Sequence, residues 1–247
     1  MNTILKALLP YGFTNGSIRF NYKKCIKNIL PTGIVEIIHR KNTQKQFTVQ
    51  YLQNNYVSDL TNNEKWTLLA FLLMLEKSKA DVSYLEVGIY AGGTIKFLQE
   101  NTKKTHFTGV DLFEDFKPSD DNTHMWKNYT REQVWESLGK TRVYLEKGDS
   151  VSLLKSMQKT NNKFDFIFID GNHTYQATKD DLEQALPLLN NKGYVAFHNC
   201  SPGLSQEDRY YLKLDGGPWL LTQELLNNPH FKLMQESDRI KVFQLIK

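Results

Sequence analysis

Five residues that could bind a nucleotide-like ligand, Glu86, Gly88, Gly92, Gly93 and Thr94, fall within Tyr84-Leu85-Glu86-Val87-Gly88-Ile89-Tyr90-Ala91-Gly92-Gly93-Thr94. An apolar run that passes into a glycine-rich turn and then a helix brings backbone N–H groups and a helix N-terminus close to a ligand. A dinucleotide fingerprint starting at Gly88 would need glycine at position 90, where Tyr90 stands. Asp111 follows 23 residues after Gly88, where a carboxylate can accept both hydroxyls of a ribose. Asp149 and Ser150 come next, either beside the base of such a ligand or as caps of the following helix. A third group, Asp170-Gly171-Asn172-His173, places a carboxylate three residues before an imidazole, and His198-Asn199 adds a second imidazole and an amide. These types suit proton transfer or the ligation of a metal ion. Asp170 could also be a helix cap and His198 a core hydrogen-bonding group, while Asp180 and Asp181 beside Lys179 read as a solvated helix face.

The elements that must position these residues alternate from position 59 onward. Helical periodicity spans 60–80, and short apolar runs at 83–87, 106–111, 142–146, 164–169 and 194–198 read as strands. Helices at 92–101, 131–138, 150–157 and 175–189 fall between them, another follows at 219–226, and runs at 231–235 and 240–246 close the chain as a hairpin. Such alternation predicts an α/β fold: a doubly wound, mostly parallel seven-stranded sheet with an antiparallel edge hairpin. Residues 59–247 form that domain and residues 1–58 an N-terminal basic arm or small cap. Candidate arm elements are helices at 4–9 and 22–30 and strands at 33–39 and 46–52. The stretches 113–129 and 200–217 are long connections of the kind that serve as lids or acceptor sites.

The E-x-G-x-x-x-G-G-T arrangement resembles motif I of the class I S-adenosylmethionine-dependent methyltransferases. The blocks Asp170-Gly171-Asn172-His173-Thr174-Tyr175 and Phe197-His198-Asn199-Cys200 resemble the subgroup that contains macrocin O-methyltransferase and the cephalosporin-biosynthesis methyltransferase-like proteins. The resemblance runs from about residue 64 to residue 247. It implies a Rossmann-like fold, S-adenosylmethionine as cofactor, and methyl transfer to an oxygen of a small molecule or surface-glycan precursor, phosphate-bearing precursors included. Cofactor contacts are then expected from Glu86, Gly88, Gly92, Gly93, Thr94, Asp111, Asp149, Ser150 and Asp170. His173 matches a candidate base, with His198 as its competitor. In the related enzymes the position of Asp170 and an acidic pair after strand five bind a divalent metal. Here the pair is His198-Asn199, so Asp170, His198 and Asn199 suit Mg²⁺ poorly, and either no metal or a readily exchanged one is expected. The rival readings are a nucleotide-sugar oxidoreductase, weakened by Tyr90, and a non-catalytic cofactor-binding module.

Composition narrows the setting. Of 247 residues, 40% are hydrophobic and 23% charged, which excludes disordered and collagen-like classes. No apolar run approaches the roughly 20 residues of a membrane span, and no leader pattern is evident, so a cytoplasmic protein is expected. Cys25 and Cys200 make neither a zinc site nor a disulfide framework. Residues 1–58 hold eight Lys/Arg and one acid, a balance of +7 against −3 for the remainder. That basic arm suits an anionic acceptor or a peripheral membrane contact. No nucleic-acid motif is present, and a homo-oligomer is expected.

Overall fold

The computed structural model describes residues 56–116, 129–139, 141–160, 162–201 and 216–246. The arm elements expected within 1–55, Cys25, and the interiors of both long connections lie outside the described residues.

Strands β1 (Val82–Val87), β2 (Thr105–Asp111), β3 (Val143–Lys147), β4 (Phe164–Ile169), β5 (Leu189–Phe197), β6 (Phe231–Ser237) and β7 (Ile240–Leu245) form one sheet in the order β3-β2-β1-β4-β5-β7-β6. The first five are parallel, and β7 joins β5 antiparallel. The order reverses between β1 and β4, and an open α/β sheet binds ligands outside the carboxyl ends of the strands at such a switch point.

Two apolar layers cover the faces. On one, α1 (Asn62–Ser78), α2 (Gly93–Asn101) and α3 (Arg131–Ser137) pack Trp66, Phe71, Phe97 and Val134 over Tyr84, Phe107 and Phe166. On the other, α4 (Ser150–Lys159), α5 (Tyr175–Ala185) and α6 (Gly217–Leu226) pack Leu154, Leu182 and Leu221 over Leu85, Val110 and Ile167. Alternate residues of each central strand thus feed opposite layers, as expected of strands buried on both faces. Thr61 and Glu64 start α1 with a reciprocal capping box, satisfying two backbone donors that the first turn leaves open.

The seven-stranded architecture expected from the sequence is the one observed. Two boundaries move by more than two residues: α5 stops at Ala185 because Pro187 forces a 3₁₀ turn over Leu186–Leu188, and β5 begins at Leu189, ahead of the polar Asn190-Asn191-Lys192. Among the described residues, no helix is long and apolar enough to cross a membrane.

Candidate active site

The turn after β1 has little steric freedom. Gly88 has φ +85°, and a β-carbon there would lie 2.2 Å from the Asp170 carbonyl oxygen, so only glycine fits. Tyr90 (φ 54°) and Gly92 (φ 76°) continue the left-handed path into α2. Asp111, at the end of β2, latches this path. Its Oδ2 accepts from the backbone N–H groups of Ile89 (2.6 Å) and Tyr90 (2.8 Å), and its Oδ1 from that of Phe113 (2.7 Å). A carboxylate has roughly four acceptor positions, so these three bonds leave room for about one ligand hydroxyl. Thr94 shares a hydroxyl hydrogen bond with Ser58 (2.8 Å), and the Val57 backbone covers Gly93. Residues 57 and 58 therefore touch the glycine turn. Glu86 is buried and accepts from the Tyr84 hydroxyl at 2.6 Å. Burial, reinforced by the charges of Asp170 and Asp111, raises its pKa well above the carboxylate range despite that bond.

A second cluster lies where β4 and β5 end. Asp170 Oδ1 meets His198 Nδ1 at 2.9 Å and His173 Nε2 at 3.3 Å. On its far side, His198 Nε2 lies 3.4 Å from Glu64 Oε2, an ion-pair contact without hydrogen-bond alignment. Burial alone would favour neutral His198, but the flanking carboxylates of Asp170 and Glu64 win and raise it to about 10. Asp170 also resists its own burial: the two histidines lower it to about 2. His198 is therefore a buried imidazolium between two carboxylates. His173, by contrast, keeps about a quarter of its side chain exposed. Asn199 turns its Nδ2 to the His173 ring, and Arg239 donates from Nη1 to Asn199 Oδ1 at 3.3 Å.

The remaining expected residues sit nearby in other roles. Asp149 accepts from Ser152 N at 2.9 Å as the N-cap of α4, and Ser150 donates its hydroxyl to Asp181 at 2.5 Å. Asp181, read from sequence as solvated, is buried against α4 and has its pKa raised to about 6 by that burial, with Asp149 and Asp180 adding to the rise. Cys200 is buried, and burial pushes its thiol up to about 12. Sequence reading did not single out Glu64 or Arg239. Thr61-Asn62-Asn63-Glu64 carries a capping-box signature, but nothing local in the sequence links Arg239 to the site.

Asp170, His173 and His198 can each offer a ligand atom, all within 4.8 Å of one another. The donor set does not fit Mg²⁺, which favours oxygen ligands. Two of its three members are imidazoles, which are nitrogen donors, and Asp170 supplies the one carboxylate.

Residues 85–200 match the family model described as a methyltransferase domain. The matched stretch is a little under half of the chain. Solved structures share the fold of this domain at low identity. A putative caffeoyl-CoA O-methyltransferase from Staphylococcus aureus is 15% identical with a TM-score of 0.60, covering 86% of this chain and 98% of that one. MycE methyltransferase from the mycinamycin biosynthetic pathway, in complex with Mg and SAH, is 14% identical with a TM-score of 0.54, covering 81% of this chain and 55% of that one. The SAH-bound methyltransferase PaMTH1 of Podospora anserina is 15% identical with a TM-score of 0.53, covering 94% and 100%. A curated relative, an uncharacterized protein of Acanthamoeba polyphaga mimivirus, is 23% identical over 120 residues, 48% of this chain and 52% of that protein. The match thus spans about half the length of that relative. In this chain, the glycine turn and the Asp170 cluster share the carboxyl edge of the sheet.

Proposed function

We propose that the protein is an O-methyltransferase that moves a methyl group from S-adenosylmethionine to an oxygen of a small molecule, with a surface-glycan precursor as the favoured acceptor class. The observation that carries this reading is the division of labour between the two histidines beside Asp170. His198 is buried with its ring nitrogens facing Asp170 and Glu64, so it presents no open nitrogen to an acceptor. His173, three residues beyond Asp170, is partly exposed and keeps Nε2 3.3 Å from Asp170 Oδ1.

The glycine turn fits a nucleoside-bearing donor, because Gly88 and Gly92 take backbone angles that bring the chain close to a ligand and Asp111 holds acceptor capacity at the ribose position. Gly88, Gly92, Gly93, Thr94 and Asp111 would hold the cofactor, with Asp170 beside it. Glu86 would serve from the strand end as a neutral carboxyl. When bound, S-adenosylmethionine supplies an electrophilic methyl group on a sulfonium centre. A hydroxyl acceptor must give up its proton as its oxygen forms the new bond, and His173 is placed to take it, oriented by Asp170. The ionised Asp170 then stabilises the imidazolium formed. The resemblance to glycan- and macrolide-modifying enzymes supports the acceptor class, and the +7 balance of residues 1–58 suits a phosphate-bearing precursor.

Methyl-labelled S-adenosylmethionine, offered with a panel of nucleotide sugars and glycan precursors, tests the reading. Label should transfer to an acceptor hydroxyl equally well with and without chelator, and His173→Gln should cut turnover by about 10² to 10⁴ while the cofactor still binds. Full turnover by His173→Gln would remove the base assignment. Strict dependence on added Mg²⁺ would overturn the metal-independent reading.

A further inference from the structure

Asp181 lies in the middle of α5, 2% exposed, with its carboxylate set between two strand ends. Oδ1 accepts the Ser150 hydroxyl at 2.5 Å, just beyond β3, and Oδ2 lies 3.4 Å from where a β-carbon on Gly171 would stand, just beyond β4. Among the described residues Oδ2 has no hydrogen-bond partner, and it is not sealed from solvent. Burial works against the charge of this carboxylate, and a single hydroxyl is what the protein offers it in return. Perturbed groups of this kind cluster at functional sites.

The Gly148 N–H donates to the Asp111 carbonyl at 2.9 Å, so the residues after β3 are tied to the strand end whose carboxylate can meet a ribose. A base attached to a ribose there comes within reach of Ser150, which is partly exposed at the start of α4. A hydroxyl has one proton and two lone pairs. The Ser150 proton is committed to Asp181, so what this hydroxyl can offer a ligand is a lone pair. The amino group at position 6 of adenine donates, whereas an oxo group at the same position only accepts. A lone pair therefore suits the first and opposes the second. Backbone N–H groups in the first turn of α4 supply donors that do not depend on Asp181.

We infer that Asp181 is a positioning residue for the methyl donor: by holding the Ser150 proton it turns that hydroxyl into an acceptor, and so makes the site select a 6-aminopurine over a 6-oxopurine. This rests on the reading of S-adenosylmethionine as the donor. Asp181 touches no reacting atom, and its effect is transmitted by the orientation of one hydroxyl. Base recognition thus depends on α5, the helix that follows the Asp170 block, as well as on the residues after β3.

Calorimetry on the full chain at pH 8, where Asp181 with its carboxyl raised to about 6 is ionised, compares S-adenosylhomocysteine with its deaminated counterpart, S-inosylhomocysteine. Wild type should prefer the amino form by roughly 10- to 100-fold, the effect of setting one acceptor against another. Ser150→Ala and Asp181→Ala should bring the two affinities to within about threefold of each other, the first by removing the lone pair and the second by freeing the hydroxyl to turn and donate. Asp181→Asn, whose amide oxygen can still accept from Ser150, should recover part of the preference, a rescue that a merely structural role would not give. Should Asp181→Ala fail to fold, Asp181→Val, which fills more of the same space, takes its place. Equal affinities in wild type, an unchanged preference without the carboxylate, or no recovery in Asp181→Asn would overturn the inference and leave the cofactor reading standing. Binding of neither ligand by wild type would remove the cofactor reading and the inference with it.

Discussion

A β-carbon on Gly88 would meet the carbonyl oxygen of Asp170 at 2.2 Å, so the glycine turn and the segment that carries the candidate base are in direct backbone contact. The backbone N–H of Asp170 also donates to the Val87 carbonyl at 2.8 Å, which leaves the contact no room to widen. Gly88→Ala should therefore displace both sites together. Binding of S-adenosylhomocysteine by calorimetry and turnover should both collapse, in a protein destabilised by more than the usual 0.5–3 kcal/mol of a point substitution. Normal cofactor affinity in Gly88→Ala would show that the turn is looser than this contact implies.

Asp111 both latches the turn and offers a lone pair to a ribose hydroxyl. Replacing it with alanine removes the charge and leaves three backbone N–H donors without their acceptor. S-adenosylhomocysteine affinity should fall by about 1.5–3 kcal/mol, read by calorimetry at constant salt. An unchanged dissociation constant would place the ribose elsewhere.

Glu64 compensates His198 and Arg239 at once, and its own pKa is lowered: burial opposes the charge, but His198 and Arg239 outweigh it. Glu64→Gln leaves a buried imidazolium with one carboxylate instead of two, and should cost about 3–5 kcal/mol in denaturant unfolding. In the double variant Glu64→Gln, His198→Gln, the two losses should be less than additive, because the second change removes the charge that the first exposed. Simple additivity would mean that the pair does not interact.

Asp181 gives a pH signature. Its carboxyl is raised to about 6, so the fold favours the protonated form. Its cost is absent below the unfolded value near 3.8, grows as pH rises toward 6, and levels off above that. Asp181→Asn can still accept from Ser150 without the charge. At pH 7 to 8 it should be more stable than wild type by about 2–3 kcal/mol, and the gap should vanish near pH 4. Unfolding curves at the two pH values check this, and a gap independent of pH would refer the effect to packing.

Most of the sheet was legible because its inner strands, such as Phe164–Ile169, are continuous apolar runs set between amphipathic helices. The early start of β5 was not, because Asn190-Asn191-Lys192 has turn-like composition. The strand is continued there by a register irregularity, with Asn190 Nδ2 bonded to Asp165 Oδ1 at 2.6 Å. In the candidate site, the glycine turn, Asp111 and the Asp170-to-His173 block were legible because each lies within a few residues of a strand end. The burial of Asp181 was hidden because Lys179 and Asp180 suggest a wet helix face, whereas α4 lies against that side. Glu64 and Arg239 were hidden for a different reason: they are 175 residues apart, and only the closed sheet brings them together.

Gly93 differs from its neighbours Gly88 and Gly92, since no left-handed angle demands glycine there. What excludes a side chain is the Val57 backbone, whose carbonyl oxygen would lie 2.2 Å from a β-carbon at that position. A single hydrogen atom therefore sets how closely the incoming chain passes over the start of α2. Alanine at position 93 would act as a wedge and lift residues 56–58 away from the turn while leaving the turn's own dihedral angles intact. Position 93 is thus a place where the seating of the upstream segment can be altered without touching a residue of that segment.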